Sequence, residues 1–125
     1  MKRAVLAVFA AASLAGCGGG GASRVDETDA RAVLVKALDA WIAGTPAADL
    51  RASSPEVIVV DQQWTAGMKL VDYEIVGLGT FDGKNLRAPV NLVLGGTPAR
   101  RANQKVSAEY VVGLQPVVTV TRVME

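Results

Sequence analysis

Along the first third of the chain, apolar residues recur at three- and four-residue steps: Ala30, Val33, Leu34, Ala37, Leu38 and Trp41. That spacing gives a helix one apolar face, with Arg31, Lys36 and Asp39 toward the other side. The pattern predicts a helix over 28–43. Asp26, Glu27 and Asp29 suit its positive N-terminal end. Gly44 offers a left-handed stop, with Pro46 just beyond. Thr45-Pro46 also reads as the cap and first position of a short turn reaching about residue 52.

After Ser53-Ser54-Pro55 the period changes from helical to alternating. Val57-Ile58-Val59-Val60 is a short β-branched run, and 61–67 interrupts it. Longer strands are predicted over 68–81 and 85–94, joined at Asp82-Gly83, a hairpin signal between apolar runs. Gly77 and Gly79 would bend or bulge the first of them. A loop over 95–103 leads to a strand over 104–114. Pro116 interrupts the ladder, and 117–123 resumes it at an edge or after a bulge. Val71, Tyr73 and Ile75 form one row opposite Asp72 and Glu74. Leu86, Ala88, Val90, Leu92 and Leu94 alternate with polar residues, as do Val106, Ala108, Tyr110, Val112 and Leu114. Such strands belong to an antiparallel sheet covered on one face, and the helix is the natural cover.

The expected fold is therefore α+β: one N-terminal amphipathic helix packed on a curved antiparallel sheet of four or five strands. No internal repeat is apparent. A helix followed by a curved meander resembles, in element order over 28–123, the cystatin-like and nuclear-transport-factor-2-like class of α+β rolls.

The N-terminus carries a different kind of information. Met1-Lys2-Arg3 is a positive start, 4–14 is a short apolar run, and Leu14-Ala15-Gly16-Cys17 places small residues before the single cysteine. The run is too short for a bilayer, which needs about 20 apolar residues, but it suits a secretory signal. The motif resembles the lipobox of bacterial lipoproteins. That resemblance implies cleavage before Cys17, a diacylglyceryl group on its sulfur, and acylation of the new amino group by a chain such as palmitate. Each buried methylene then contributes about 0.8 kcal/mol to anchoring. The expected organisation is a signal peptide over 1–16, a lipidated cysteine and glycine-rich tether over 17–25, and one small domain over 26–125. The expected location is the cell envelope, facing away from the cytoplasm. Gly18 stands where some lipoproteins carry an inner-membrane retention aspartate, which points toward the outer membrane in an organism that has one.

Charge and composition narrow the chemistry. The chain has 13 basic and 12 acidic residues, and loss of Lys2 and Arg3 leaves 11 against 12. A nearly neutral chain has no electrostatic basis for binding nucleic acid. With no histidine, a Ser-His-Asp or Cys-His device is impossible, and one cysteine cannot build a Cys/His zinc site. No cofactor or metal is expected. Asp72 and Glu74, two residues apart on one strand face, are the nearest approach to an acid–base pair, although the polar side of an alternating strand simply solvates them. Trp41, Tyr73 and Tyr110 fall on inner faces, where they fill the core or ring a ligand pocket. Trp64 in a polar loop, and Arg100-Arg101 in another, are candidate partner contacts. Three roles follow, in descending order. The first is a lipid-anchored, non-catalytic interaction or structural module with another envelope protein as partner. The second is a binder of a small apolar ligand between helix and sheet, and the third is an enzyme using Asp72 or Glu74.

Overall fold

A computed structural model describes residues 20–96 and 101–123, with side chains from residue 26 onward. Helix α1 spans Gly20–Ile42. Strand β1 (Val57–Val60) follows a 3₁₀ turn, Ala47–Ala52, and short helix α2 covers Gln62–Thr65. Strands β2 (Leu70–Ile75), β3 (Thr80–Phe81), β4 (Asn85–Leu94), β5 (Gln104–Gly113) and β6 (Val118–Arg122) complete the chain. They form one curled sheet in the order β1-β6-β5-β4-β2, with β3 also on β4. The helix packs on its concave face. No helix among the described residues is long and apolar enough to cross a membrane.

The helical periodicity is realised: Ala30, Leu34, Ala37, Leu38 and Trp41 are buried and Val33 is half-buried. Full burial of Leu34 and Leu38 contributes about 1.5–3 kcal/mol each. The helix begins at Gly20 rather than at 28, inside the glycine-rich stretch expected to be a tether. Ala22, Ser23 and Arg24 hold nothing that breaks a helix, so the acidic residues fall in later turns. The helix ends as its sequence predicts. Gly44 has φ +90°, its amide donates to the Trp41 carbonyl at 2.9 Å, and Thr45 N–H donates to the Ala40 carbonyl at 2.9 Å, which is a Schellman end.

The sheet is mixed, not wholly antiparallel. β1 pairs in parallel with β6, Val57 opposite Val118 and Val60 opposite Thr121. Hairpins force β2 to β6 into antiparallel neighbours, whereas β1 reaches β2 only through α2, a crossover that allows it to take the open side of β6. The last strand is consequently internal, and Pro116 lies in the turn before it rather than in a ladder.

On β4 the expected alternation holds, with Leu86, Ala88, Val90, Leu92 and Leu94 all buried. On β2 it slips. Leu70 pairs with Leu94 and Asp72 with Val93, leaving Val71 as the extra residue of a bulge. Leu70 takes the inward position, and Val71, expected inside, is exposed. β2 and β3 are two halves of the predicted bent strand. Gly77 and Gly79 have φ of +68° and +75°. Gly79 comes so near the Arg87 carbonyl that a Cβ there would lie 2.5 Å from it. At the Asp82-Gly83 hairpin the Asp82 carboxylate accepts from Asn85 N–H at 2.7 Å and Lys84 N–H at 2.9 Å. Those two bonds, Asn85 first, hold it below the usual carboxylate range.

Candidate functional site

Two tryptophans organise the end of the domain where α1 stops. Trp41 sits three residues before Gly44, and Trp64 sits three residues before Gly67. The segments Trp41-Ile42-Ala43-Gly44 and Trp64-Thr65-Ala66-Gly67 share the pattern Trp-x-Ala-Gly, a short internal repeat where none was expected. α2 ends as α1 does: Gly67 has φ +94°, its amide donates to the Trp64 carbonyl at 3.0 Å, and Met68 N–H donates to the Gln63 carbonyl at 3.1 Å. Each Schellman end turns one carbonyl toward the other tryptophan. Trp64 Nε1 donates to the Thr45 carbonyl at 2.9 Å, and Trp41 Nε1 donates to the Met68 carbonyl at 2.8 Å. The rings stack with centroids 5.1 Å apart and planes 3° from parallel, an arrangement that adds about 0.5–1.5 kcal/mol beyond area burial. Trp64, expected in an exposed polar loop, is thus buried against Trp41 at the edge of a cleft. Its neighbours Gln62 and Thr65 are exposed on one helical turn while the indole turns in.

Asp61 is the second organising residue. Its side chain is 0% exposed, and it caps α2, with Oδ1 accepting from Gln63 N–H at 3.0 Å and Trp64 N–H at 3.3 Å. The Tyr110 hydroxyl donates to Oδ2. Arg122 Nη1 reaches Oδ1 at 3.3 Å and Gln63 Oε1 at 2.6 Å. One carboxylate therefore joins β1, α2, β5 and β6. Burial, and then the charge of Asp61, push the Tyr110 hydroxyl far above an ordinary tyrosine, so it remains a neutral donor. Sequence reading leaves Asp61 as a plain loop residue. The signal that was present is an N-cap residue directly before a short helix.

The remaining candidates are dispersed. Tyr73, half-buried on β2, donates to Asp39 Oδ1 at 2.8 Å. Burial and that bond push it up to about 12. Tyr110 packs in the core beside Asp61, and Trp41 stacks on Trp64, so Trp41, Tyr73 and Tyr110 are not brought together around one cavity. Asp72 and Glu74 are exposed on the face turned away from the helix. Arg87, on the same face, pairs with Glu109 at 3.3 Å. Arg101 is exposed; Arg100 and Cys17 lie outside the described residues.

A cleft of about 500 Å³ opens beside the tryptophan pair, lined by Thr45, Pro46, Ala47, Ile58, Val59 and Met68 among others. A smaller one of about 270 Å³ lies over Arg122, between Gln62, Gln63, Ser107 and Glu109. No group of three or more His, Cys, Asp or Glu residues is positioned to hold a metal ion among the described residues. The chain matches no protein-family model, and no curated protein or solved structure is significantly similar to it.

Proposed function

We propose that this protein is a lipid-anchored component of the cell envelope, acting as a non-catalytic interaction or structural module. The observation that carries the reading is Leu14-Ala15-Gly16-Cys17 after a positive start and a short apolar run, with the chain's one cysteine at the expected place. The chemistry of the domain supports it. Histidine is missing from the sequence. The buried carboxylate of Asp61 is occupied by a cap, a tyrosine and an arginine. Metabolic labelling with an alkyne fatty acid tests the anchor: the native protein takes the tag and sediments with membranes, and Cys17→Ser loses both. An untagged protein, or a Cys17→Ser variant that stays on the membrane, refutes it. Crosslinking in intact cells tests the role, since a lone monomer found reproducibly argues against an interaction module.

A second reading, binding of a small apolar ligand, draws on the cleft of about 500 Å³ beside Trp41 and Trp64, which falls within the size range of small-molecule sites. A saturable change in tryptophan emission with a medium-chain fatty acid or alcohol supports that reading. Unchanged emission across such a series removes it.

A further inference from the structure

The cleft of about 500 Å³ beside the tryptophan pair lies where the end of α1, the 3₁₀ turn, β1 and the end of α2 meet. Pro46, Ala47, Ile58, Val59 and Met68 give it an apolar lining around the two indoles. Much of the polar surface that borders it is already used. The indole N–H groups of Trp41 and Trp64 donate to the Met68 and Thr45 carbonyls at 2.8 and 2.9 Å. Those rings therefore offer the cleft hydrocarbon surface and no donor. The amides of Gly44, Thr45, Thr65, Gly67 and Met68 are spent on backbone carbonyls at the two helix ends.

What the lining adds to that surface is charge of one sign. Arg51 and Lys69 border the cleft, and no aspartate or glutamate does so among the described residues. They come from different segments, Arg51 from the 3₁₀ turn and Lys69 from the position directly before β2. Both are exposed, so their charges stay in water at the edge of apolar surface. The Lys69 carbonyl accepts from Gly95 N–H at 2.8 Å, which ties that residue to the sheet. Arg51 Nε lies 3.6 Å from Glu56 Oε2, and both side chains of that pair are open to solvent, which makes it a weak one. Neither cation has another ion pair among the described residues. With Glu56 set against them, Arg51 and Lys69 leave one net positive charge beside the cleft.

We propose that this cleft binds a single-chain aliphatic carboxylate of medium length, its chain against the tryptophan pair and its carboxylate on Arg51 and Lys69. The inference rests on the apolar-ligand reading and names the class of the ligand. The apolar lining selects a hydrocarbon chain. The net charge selects a monoanion, and the planar fork of a guanidinium suits a carboxylate. A cationic amphiphile is repelled, and an alcohol binds by its chain alone.

The test is titration of the full-length protein in phosphatidylcholine vesicles with decanoate, decanol or decylamine. Protein-free vesicles correct for ligand taken up by lipid. Both tryptophans of the chain border the cleft, so their emission reads its occupancy. Decanoate is expected to bind at least about threefold more tightly than decanol or decylamine, an advantage that shrinks at high salt. Lys69→Gln and Arg51→Gln should each weaken decanoate about two- to threefold and together remove its advantage. Glu56→Gln releases Arg51 and should strengthen decanoate about twofold. All three replace exposed side chains, and unchanged decanol binding is the control for their folding. Decanol bound as tightly as decanoate, or an advantage that survives the double variant, overturns the carboxylate assignment and leaves the apolar-ligand reading standing. Emission unchanged by all three ligands sinks both.

Discussion

Replacing Asp61 by alanine tests whether one carboxylate holds the sheet closed around α2. The substitution removes the α2 cap, a loss of about 1 kcal/mol. It leaves the buried Tyr110 hydroxyl without its acceptor, about 1–3 kcal/mol. It also strips Arg122, whose side chain is 14% exposed, of its counter-ion; breaking a buried pair costs about 3–5 kcal/mol. Arg122 keeps Gln63 Oε1 and borders a cleft open to water, so the last term is partly relieved, and neighbouring losses do not simply add. The expected total is about 3–5 kcal/mol, a large part of the roughly 5–15 kcal/mol that holds a domain together. Tyr110→Phe loses one bond, about 1 kcal/mol. Arg122→Met leaves Asp61 with two backbone amides and a hydroxyl, so its cost falls well below that of Asp61→Ala. Urea unfolding followed by far-ultraviolet circular dichroism measures all three variants. An Asp61→Ala cost no greater than a lost cap, or an Arg122→Met cost equal to it, refutes the account.

The tryptophan pair yields a second expectation: Trp41→Phe and Trp64→Phe each lose an indole donor and orphan a part-buried carbonyl, costing about 1–3 kcal/mol. Urea unfolding of the double variant should show coupling of about 0.5–1.5 kcal/mol from the altered stack. Between β2 and β3, Gly77→Ala meets open space and costs only the left-handed strain of about 1–2 kcal/mol. Gly79→Ala adds a clash with the Arg87 carbonyl, so its melting temperature should fall clearly further. Finally, the chain's two tyrosines, Tyr73 and Tyr110, are both raised above the free value of about 10. Their contribution to stability is complete below pH ~10 and is lost as the pH rises from there through about 12 for Tyr73. Tyrosinate absorbance should therefore stay low at pH ~10 in the folded protein and rise with unfolding.

Local order was legible wherever one period governed one face. The stripe from Ala30 to Trp41 and the alternation on β4 could be read directly, because each side chain's direction follows from its position in the repeat. Val71 was misread because a bulge shifts the register by one residue, and nothing in the alternating run marks where it falls. Trp64 was misread for another reason. Its neighbours are polar, and its burial comes from Trp41 and the Thr45 carbonyl, 23 and 19 residues away in sequence. The repeated Trp-x-Ala-Gly was nonetheless visible, and two tryptophans each one turn ahead of a stop glycine were grounds for expecting two helix ends facing each other. The parallel place of β1 depends on Asp61 meeting Tyr110 and Arg122 across 49 and 61 residues, a pairing no local pattern carries.

How the buried polar groups are used bears on the functional reading. A catalytic or recognition centre needs a polar group that its own fold leaves underused and that a cleft exposes to a ligand. Here both indole N–H groups are spent on carbonyls, Asp61 is occupied at both oxygens, and the Tyr110 hydroxyl is bound. Each of these bonds closes one element on another, and the carboxylates outside them, Asp72 and Glu74, are exposed on the outer face, where they line a cleft of about 420 Å³ with Asn91, Lys105 and Ser107. The exposed large apolar side chains among the described residues are Ile42, Val60, Val71, Val76, Leu78 and Val117. An interior that uses these polar groups to hold its own elements together accords with the non-catalytic role proposed above.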